Sequence, residues 1–297
     1  MSQTAFLLVI LAGLIHAIWN IAAKKAGGDV RFAGLTALIM AVLWAPVGIY
    51  VGWEIVPQWG YLEWFFICLS GALHVLYFIV LLRGYRKADL TVVYPLARGS
   101  GPLISSTVAI FFLNEHLSLL GGFGIAAVVS GVFLIAGGPK LVQSLRQTTA
   151  VSDQQLRVKK GIFYGILTGV FIAAYTVLDG YAVKVLLLSP ILVDYFGNFA
   201  RIAFLAPAIL RDRRQTLISW KREWKYALIV GGISPISYVL VLYAMQMAPL
   251  SHVAPAREVS MLFAAIIGGH LLDEGDRLQR IVGALCIALG VIALGSF

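Results

Sequence analysis

Hydrophobic residues run along the chain in ten blocks, at about 4–23, 33–52, 62–82, 91–113, 119–137, 161–183, 190–209, 225–247, 254–272 and 281–296, with short polar stretches between them. Each block approaches the roughly 20 apolar residues that a helix needs to cross a bilayer. The pattern predicts an all-α polytopic membrane protein with ten transmembrane helices. The widest polar gap, 139–160, carries Lys140, Arg146, Arg157, Lys159 and Lys160. It reads as a cytoplasmic linker between residues 1–138 and 161–297, each with five blocks.

The two halves echo each other at an offset near 160 residues: Pro46 with Pro207, Gly71 with Gly232, Tyr77 with Tyr238, Ala88 with Ala248, and Pro95 with Pro255. Matches in order and at similar depth argue for an internal repeat. Five crossings is an odd number, so the second half enters the membrane upside down. The expected architecture is two inverted five-helix repeats.

One polar interruption occurs in both halves. In the first, Tyr94, Pro95, Arg98, Gly99, Ser100, Gly101 and Pro102 lead into an apolar run that ends at Asn114 and Glu115; in the second, Pro255, Arg257, Glu258 and Ser260 lead to Asp273 and Glu274. Arginine and closing acid are 17 positions apart in each copy, a helical length of roughly 25 Å. Proline-broken hydrophobic segments at corresponding places in two halves point to a transporter's binding site.

Composition agrees: 60% of residues are hydrophobic and 12% charged, against about 25% charged in soluble domains, and the mean hydropathy is +0.89. A soluble fold is excluded. The first block lacks a basic leader and a cleavage site and reads as a span, not a signal peptide. The formal net charge of +9 does not signal nucleic acid. Nineteen Lys and Arg lie in the loops after the odd-numbered spans, while Lys184 is alone in the opposite set. By the positive-inside rule both termini are outside, and short loops suit a bacterial inner membrane. Trp53, Trp59, Tyr61 and Trp64 are then expected in the outer aromatic belt, and Trp220, Trp224 and Tyr226 in the inner one. Cys68 and Cys286 fall in apolar runs and suggest neither disulfide nor metal.

Polar residues inside spans are costly and therefore informative. His16, Trp19, Asn20 and Lys24 share one helical face, as interhelical glue or as a cavity wall. His74 and Tyr77 are one turn apart, either a satisfied core pair or a cavity-facing, proton-titrating pair. Tyr164, Thr168, Tyr175 and Asp179 lie near one face; an interfacial ion pair with Lys184 is the simpler reading of Asp179 and substrate contact the other, and with Glu258 and the histidines it is a candidate for coupling to protons. Arg201, beside Asn198, is too deep to snorkel and needs a cavity or a buried partner. Arg98 and Arg257 could snorkel to lipid phosphate. Their recurrence beside proline favours a cavity, and Glu258 is a salt-bridge partner or a proton carrier. Small-residue faces in spans 5 and 10 (Ala126, Ala127, Ser130, Gly131; Gly283, Ala284, Ala288) read as helix packing, with a homodimer contact as the other use.

The stretches HAIWNIAAK (16–24), LRGYRKADLTVVYPLARGSGP (82–102) ending in LNEHLS, and LYAMQMAPLSHVAPAR (242–257) ending in LDEGDRL resemble the drug/metabolite transporter superfamily, EamA type, across the whole chain. The resemblance implies an alternating-access secondary transporter, often an exporter of amino acids or other small metabolites. Its cavity between the halves would be lined by His16, Trp19, His74, Tyr77, Tyr94, Arg98, Tyr175, Tyr238, Arg257 and Glu258. Family members are commonly drawn with cytoplasmic termini; the charge distribution here predicts the reverse. Three intramembrane arginines suit a substrate bearing a carboxylate or other anion, with protons as the candidate coupling ion and no cofactor. The same superfamily also offers lipid-carrier and nucleotide-sugar translocators. An enzyme is not expected, since neither HExxH nor GxSxG occurs.

Overall fold

The computed structural model describes residues 1–26, 29–88, 90–136, 142, 153–269 and 277–296, and among these it is helical with no strand. The first half contains α1 (Gln3–Ala26), α2 (Val30–Leu43), α3 (Ala45–Gly52), α4 (Tyr61–Lys87), α5 (Leu90–Phe112) and α6 (Leu119–Ile135). The second contains α7 (Asp153–Lys184), α8 (Pro190–Leu210), α9 (Arg213–Met247), α10 (Leu250–Ala256), α11 (Val259–Gly269) and α12 (Arg277–Gly295). Helices α1, α4, α7, α8 and α9 are each long and apolar enough to span a membrane. The pair α2–α3, bent by 55°, forms one further broken span. With α5, the shorter apolar α6 and α12, and the interrupted α10–α11, the crossings alternate as the ten hydrophobic blocks require.

Local chemistry sets the ends. Asp29 accepts the Arg31 N–H at 2.8 Å and starts α2. Ser118 accepts from Gly121 N–H at 3.0 Å and starts α6. Glu63 reaches back to the Gly60 N–H at 2.8 Å and starts α4. Such side chains satisfy donors that a helix N-terminus leaves free. Pro46 lies in the first turn of α3 and accounts for the α2–α3 bend, because it cannot donate into the preceding turn. Two helices are longer than their hydrophobic blocks. The α7 helix starts at Asp153, inside the stretch expected as linker, and α9 starts at Arg213 rather than near 225. The α9 extension is tied down by Trp220, whose Nε1 donates to Arg31 O at 2.9 Å. Trp220 therefore packs on protein, as does Trp59, which sits between Trp64 and Phe196. Trp53 and Tyr61 are exposed, as belt residues should be.

The repeat governs packing. The α5 helix packs on α7 as α11 packs on α1; α4 packs on α7 as α9 packs on α1; α4 packs on α8 as α9 packs on α2. Two pairs map onto themselves, α2 with α8 and α6 with α12. This is the pattern of a two-fold relation between halves, and five crossings per half make it an inverted one. The α6–α12 contact is close: a Cβ added at Gly131 would lie 2.5 Å from Gly283 O, and one at Gly290 2.7 Å from Gly124 O. Glycine is required because backbones touch there. Gly131 and Gly283 thus face each other within the chain, whereas Ala126 and Ser130 are exposed.

Candidate substrate site

The site grows from the break in the ninth crossing. Pro255 has no N–H to give to Ser251 O, four residues back. That carbonyl instead accepts Ser106 Oγ of α5 at 3.0 Å, meeting the rule that non-helical backbone at membrane depth needs a protein partner. The helix stops at Ala256 and restarts at Val259, leaving Arg257 and Glu258 between α10 and α11. Glu258 is 1% exposed. Arg98 Nη1 lies 3.7 Å from its Oε2 and Arg257 Nε 3.6 Å from its Oε1. Two guanidinium groups thus share one carboxylate. Neither distance is a hydrogen bond, so the planar N–H forks keep donors to spare. Neither arginine snorkels to lipid. Tyr94 lies one turn before Arg98 on the same helix.

Aromatic rings surround this trio. His74 stacks on Tyr175 with ring centroids 4.1 Å apart and meets Tyr238 edge-on at 5.5 Å. Tyr77 meets Tyr175 at 5.8 Å, and Arg257 lies over the Tyr175 ring at 6.0 Å. His16 and Trp19 pack edge-to-face at 4.6 Å. Trp19 Nε1 is buried and, among the described residues, has no hydrogen-bond partner.

Of the ten residues expected around one cavity, Arg98, Arg257, Glu258, His74, Tyr77, Tyr175 and Tyr238 are joined by charge and ring contacts, while His16 and Trp19 pair with each other on α1 and Tyr94 lies one turn before Arg98 on α5. Asn20, one helical turn beyond His16, is half-buried; no contact joins it to the arginines. Arg201 is separate as well: it bonds Asp194 at 2.8 Å within α8, the buried-partner alternative. Asn198 donates to Ala37 O at 2.9 Å as interhelical glue.

Two acids behave differently from their sequence reading. Lys184 pairs with Glu115 at 3.3 Å, not with Asp179. Asp179, 1% exposed, instead accepts the Tyr238 hydroxyl. The partners lie 59 positions apart on different helices, and no local spacing signals the bond. Glu115 also accepts the N–H of Leu250 and of Ser251, each at 2.8 Å. Asn114, left-handed at φ 52°, turns the chain toward α10; Asn tolerates this conformation. Burial pushes the Glu115 carboxyl up, but the two N–H groups and Lys184 outweigh it and hold it below the usual carboxylate range. Its repeat counterpart, Glu274 with Asp273, lies outside the described residues.

Spans 4 and 9 are therefore joined at one end. Ala109 and Leu113 of α5 pack with Leu250 and Ala254 of α10 and Val177 of α7. This is the end that carries the chain termini: with the crossings alternating, α5, α7 and α9 finish and α10 begins on the side where α1 begins, and a Cβ at Gly295 would meet the Phe6 ring 2.5 Å away. Beyond the break, α11 packs on α1 and α12.

Two inverted helical repeats that meet at proline-bearing crossings, one of them broken, define a membrane transporter fold. The family model described as the EamA-like transporter family matches residues 3–137 and 159–296; the chain belongs to that family, whose members are transporters and not enzymes. A solved structure described only as a crystal structure of a protein is similar at a TM-score of 0.75 and 14% identity, over 99% of this chain and 98% of that one. At that identity the likeness speaks for the fold alone. No curated protein matches in sequence.

Proposed function

We propose that this chain is a secondary transporter of a small anionic metabolite, such as an organic acid or an amino acid held by its carboxylate. One observation carries the reading: Arg98 and Arg257 share the single carboxylate of Glu258, leaving one positive charge uncompensated among buried groups. A buried charge calls for a partner, and a bidentate carboxylate fits a guanidinium fork. The rings of His74, Tyr77, Tyr175 and Tyr238 supply an apolar wall for the rest of the substrate, and Trp19 Nε1 an unused donor.

Access alternates by rocking of the repeats about this site. With α5 and α10 joined at the terminus-bearing end, loading from the opposite end is favoured. The 19 Lys and Arg of the odd loops make that end cytoplasmic, which suits an exporter in a bacterial inner membrane. A C-terminal alkaline phosphatase fusion should be active and a fluorescent-protein fusion dark; the reverse pattern overturns the orientation.

The test of function is uptake and counterflow in proteoliposomes, with a panel of labelled amino acids and small organic acids. Saturable transport of one anionic class is expected, falling about tenfold or more in Arg98→Gln and in Arg257→Gln, as the loss of a charge-assisted bond implies. Unchanged transport in both variants, or saturable transport of cations alone, overturns the anion assignment.

A further inference from the structure

Four acids are buried among the described residues: Asp179, Asp194, Glu223 and Glu258. Asp194 is bonded to Arg201, Glu223 to Arg222, and Glu258 lies between Arg98 and Arg257. Asp179 differs. Its Oδ2 accepts the Tyr238 hydroxyl, its Oδ1 has no hydrogen-bond partner among the described residues, and no guanidinium or ammonium bonds to it. A carboxylate held only by neutral donors at this depth is costly, and gaining a proton removes the cost without breaking an ion pair. The other three acids would lose an arginine contact on protonation.

We propose that Asp179 is the proton-binding site that couples this transporter to a pH gradient, and that its proton and the anionic substrate bind together. The second half rests on the anion-transporter reading; the first does not. The polar groups near Asp179 come from α4, α8 and α9, while α5 and α10 bring apolar Ala109, Leu113, Leu250 and Ala254 to the neighbouring Val177. The polar groups are Ser70 of α4, the Arg201–Asp194 pair of α8, and Tyr238 of α9, which alone among the described residues donates to it. His74 hydrogen-bonds Ser70 O at 2.9 Å and lies 3.5 Å from its hydroxyl. Two polar links meet here: His74 with Ser70 on α4, and Asp179 with Tyr238 between α7 and α9, with the Tyr238 ring edge-on to His74.

These links lead to the arginines. Tyr238 touches His74, His74 stacks on Tyr175, and Tyr175 lies under Arg257. Protonation replaces the Asp179 carboxylate with a neutral acid and makes the site more positive by one unit, which strengthens its hold on an anion. Linkage makes the effect reciprocal: bound anion favours the protonated acid. One proton accompanies one anion, so net export runs where the anion's outward gradient exceeds the inward proton gradient.

Infrared difference spectra of the full-length protein in lipid, recorded across a pH series, test the site without any substrate. The carbonyl stretch of a buried protonated carboxyl should appear as pH falls, vanish in Asp179→Asn, persist in Glu258→Gln, and move in Tyr238→Phe, which loses the bonded donor. A band that survives Asp179→Asn, or stays fixed in Tyr238→Phe, overturns the assignment. Coupling is read by counterflow and gradient-driven uptake of whichever anion the panel yields. Wild-type affinity should rise about fivefold or more toward acid pH, in the usual range of linked sites, and Asp179→Asn should keep exchange at equal pH while losing the response to a gradient. Wild-type uptake that ignores the gradient, or exchange lost together with coupling, overturns the coupling. If no anion is transported, the anion reading fails, and the infrared result alone decides whether Asp179 binds the proton.

Discussion

Replacing Glu115 by Gln should open the terminus-bearing end of the bundle. In the structure the Glu115 carboxylate accepts two backbone N–H groups at the start of α10 and pairs with Lys184. Glutamine keeps one acceptor oxygen and presents an NH2 group to the other donor. One hydrogen bond to a charged group, worth about 1.5–3 kcal/mol, is lost. The Lys184 pair is partly exposed, so screening limits its share to below about 1 kcal/mol. A net loss of about 2–3 kcal/mol shifts the balance between closed and open ends by about 30- to 150-fold. The assay is electron-paramagnetic distance measurement between spin labels at His116→Cys and Met247→Cys, both exposed positions, with Cys68 and Cys286 replaced by Ser. Parent protein should give one narrow distance and Glu115→Gln a second, longer one. The pH sign follows from the carboxyl, which the closed state holds below its ordinary value. Its contribution is complete above the ordinary carboxylate value and is lost as pH falls through the closed-state value, so acid should reproduce the variant. A Glu115→Gln distribution identical to the parent's would refute the reasoning.

Two further substitutions address stability. Arg201→Leu leaves Asp194 buried and unpaired and should cost about 3–5 kcal/mol; adding Asp194→Leu should recover part of the melting temperature, and a double variant no better than the single one would contradict the pairing. Gly131→Leu drives a side chain into the Gly283 backbone, 2.5 Å from where its Cβ would sit, and should prevent recovery of monodisperse protein on gel filtration, whereas Ala126→Leu, at an exposed position, should not.

Much of this was legible in the sequence because the membrane allows few solutions. Blocks of apolar residues had to be helices, and the offset of Ala88 to Ala248 and Pro95 to Pro255 reported the repeat; both alanines end a helix in extended conformation. The arginine cluster was legible because buried charge beside proline is rare. What the pattern did not show was where partners meet across helices. Asp179 was read against Lys184, its neighbour in sequence, yet Tyr238 bonds the first and Glu115 the second. Nor did it show that the two proline signatures would differ. Pro95 and Arg98 lie inside an unbroken α5, whereas Pro255 is followed at once by the gap at Arg257 and Glu258. The halves are alike in sequence pattern and unlike in backbone at this crossing.

The central claim is that Arg98 and Arg257 recognise a carboxylate. It is tested most directly by comparing transport of the best anion from the panel with transport of its carboxamide, matched in size and lacking the charge. Removing one partner of a buried charge pair costs about 2 kcal/mol or more, so the account predicts a preference for the carboxylate of about 30-fold or greater, collapsing in Arg98→Gln and Arg257→Gln. Equal transport of acid and amide by the parent protein would contradict it.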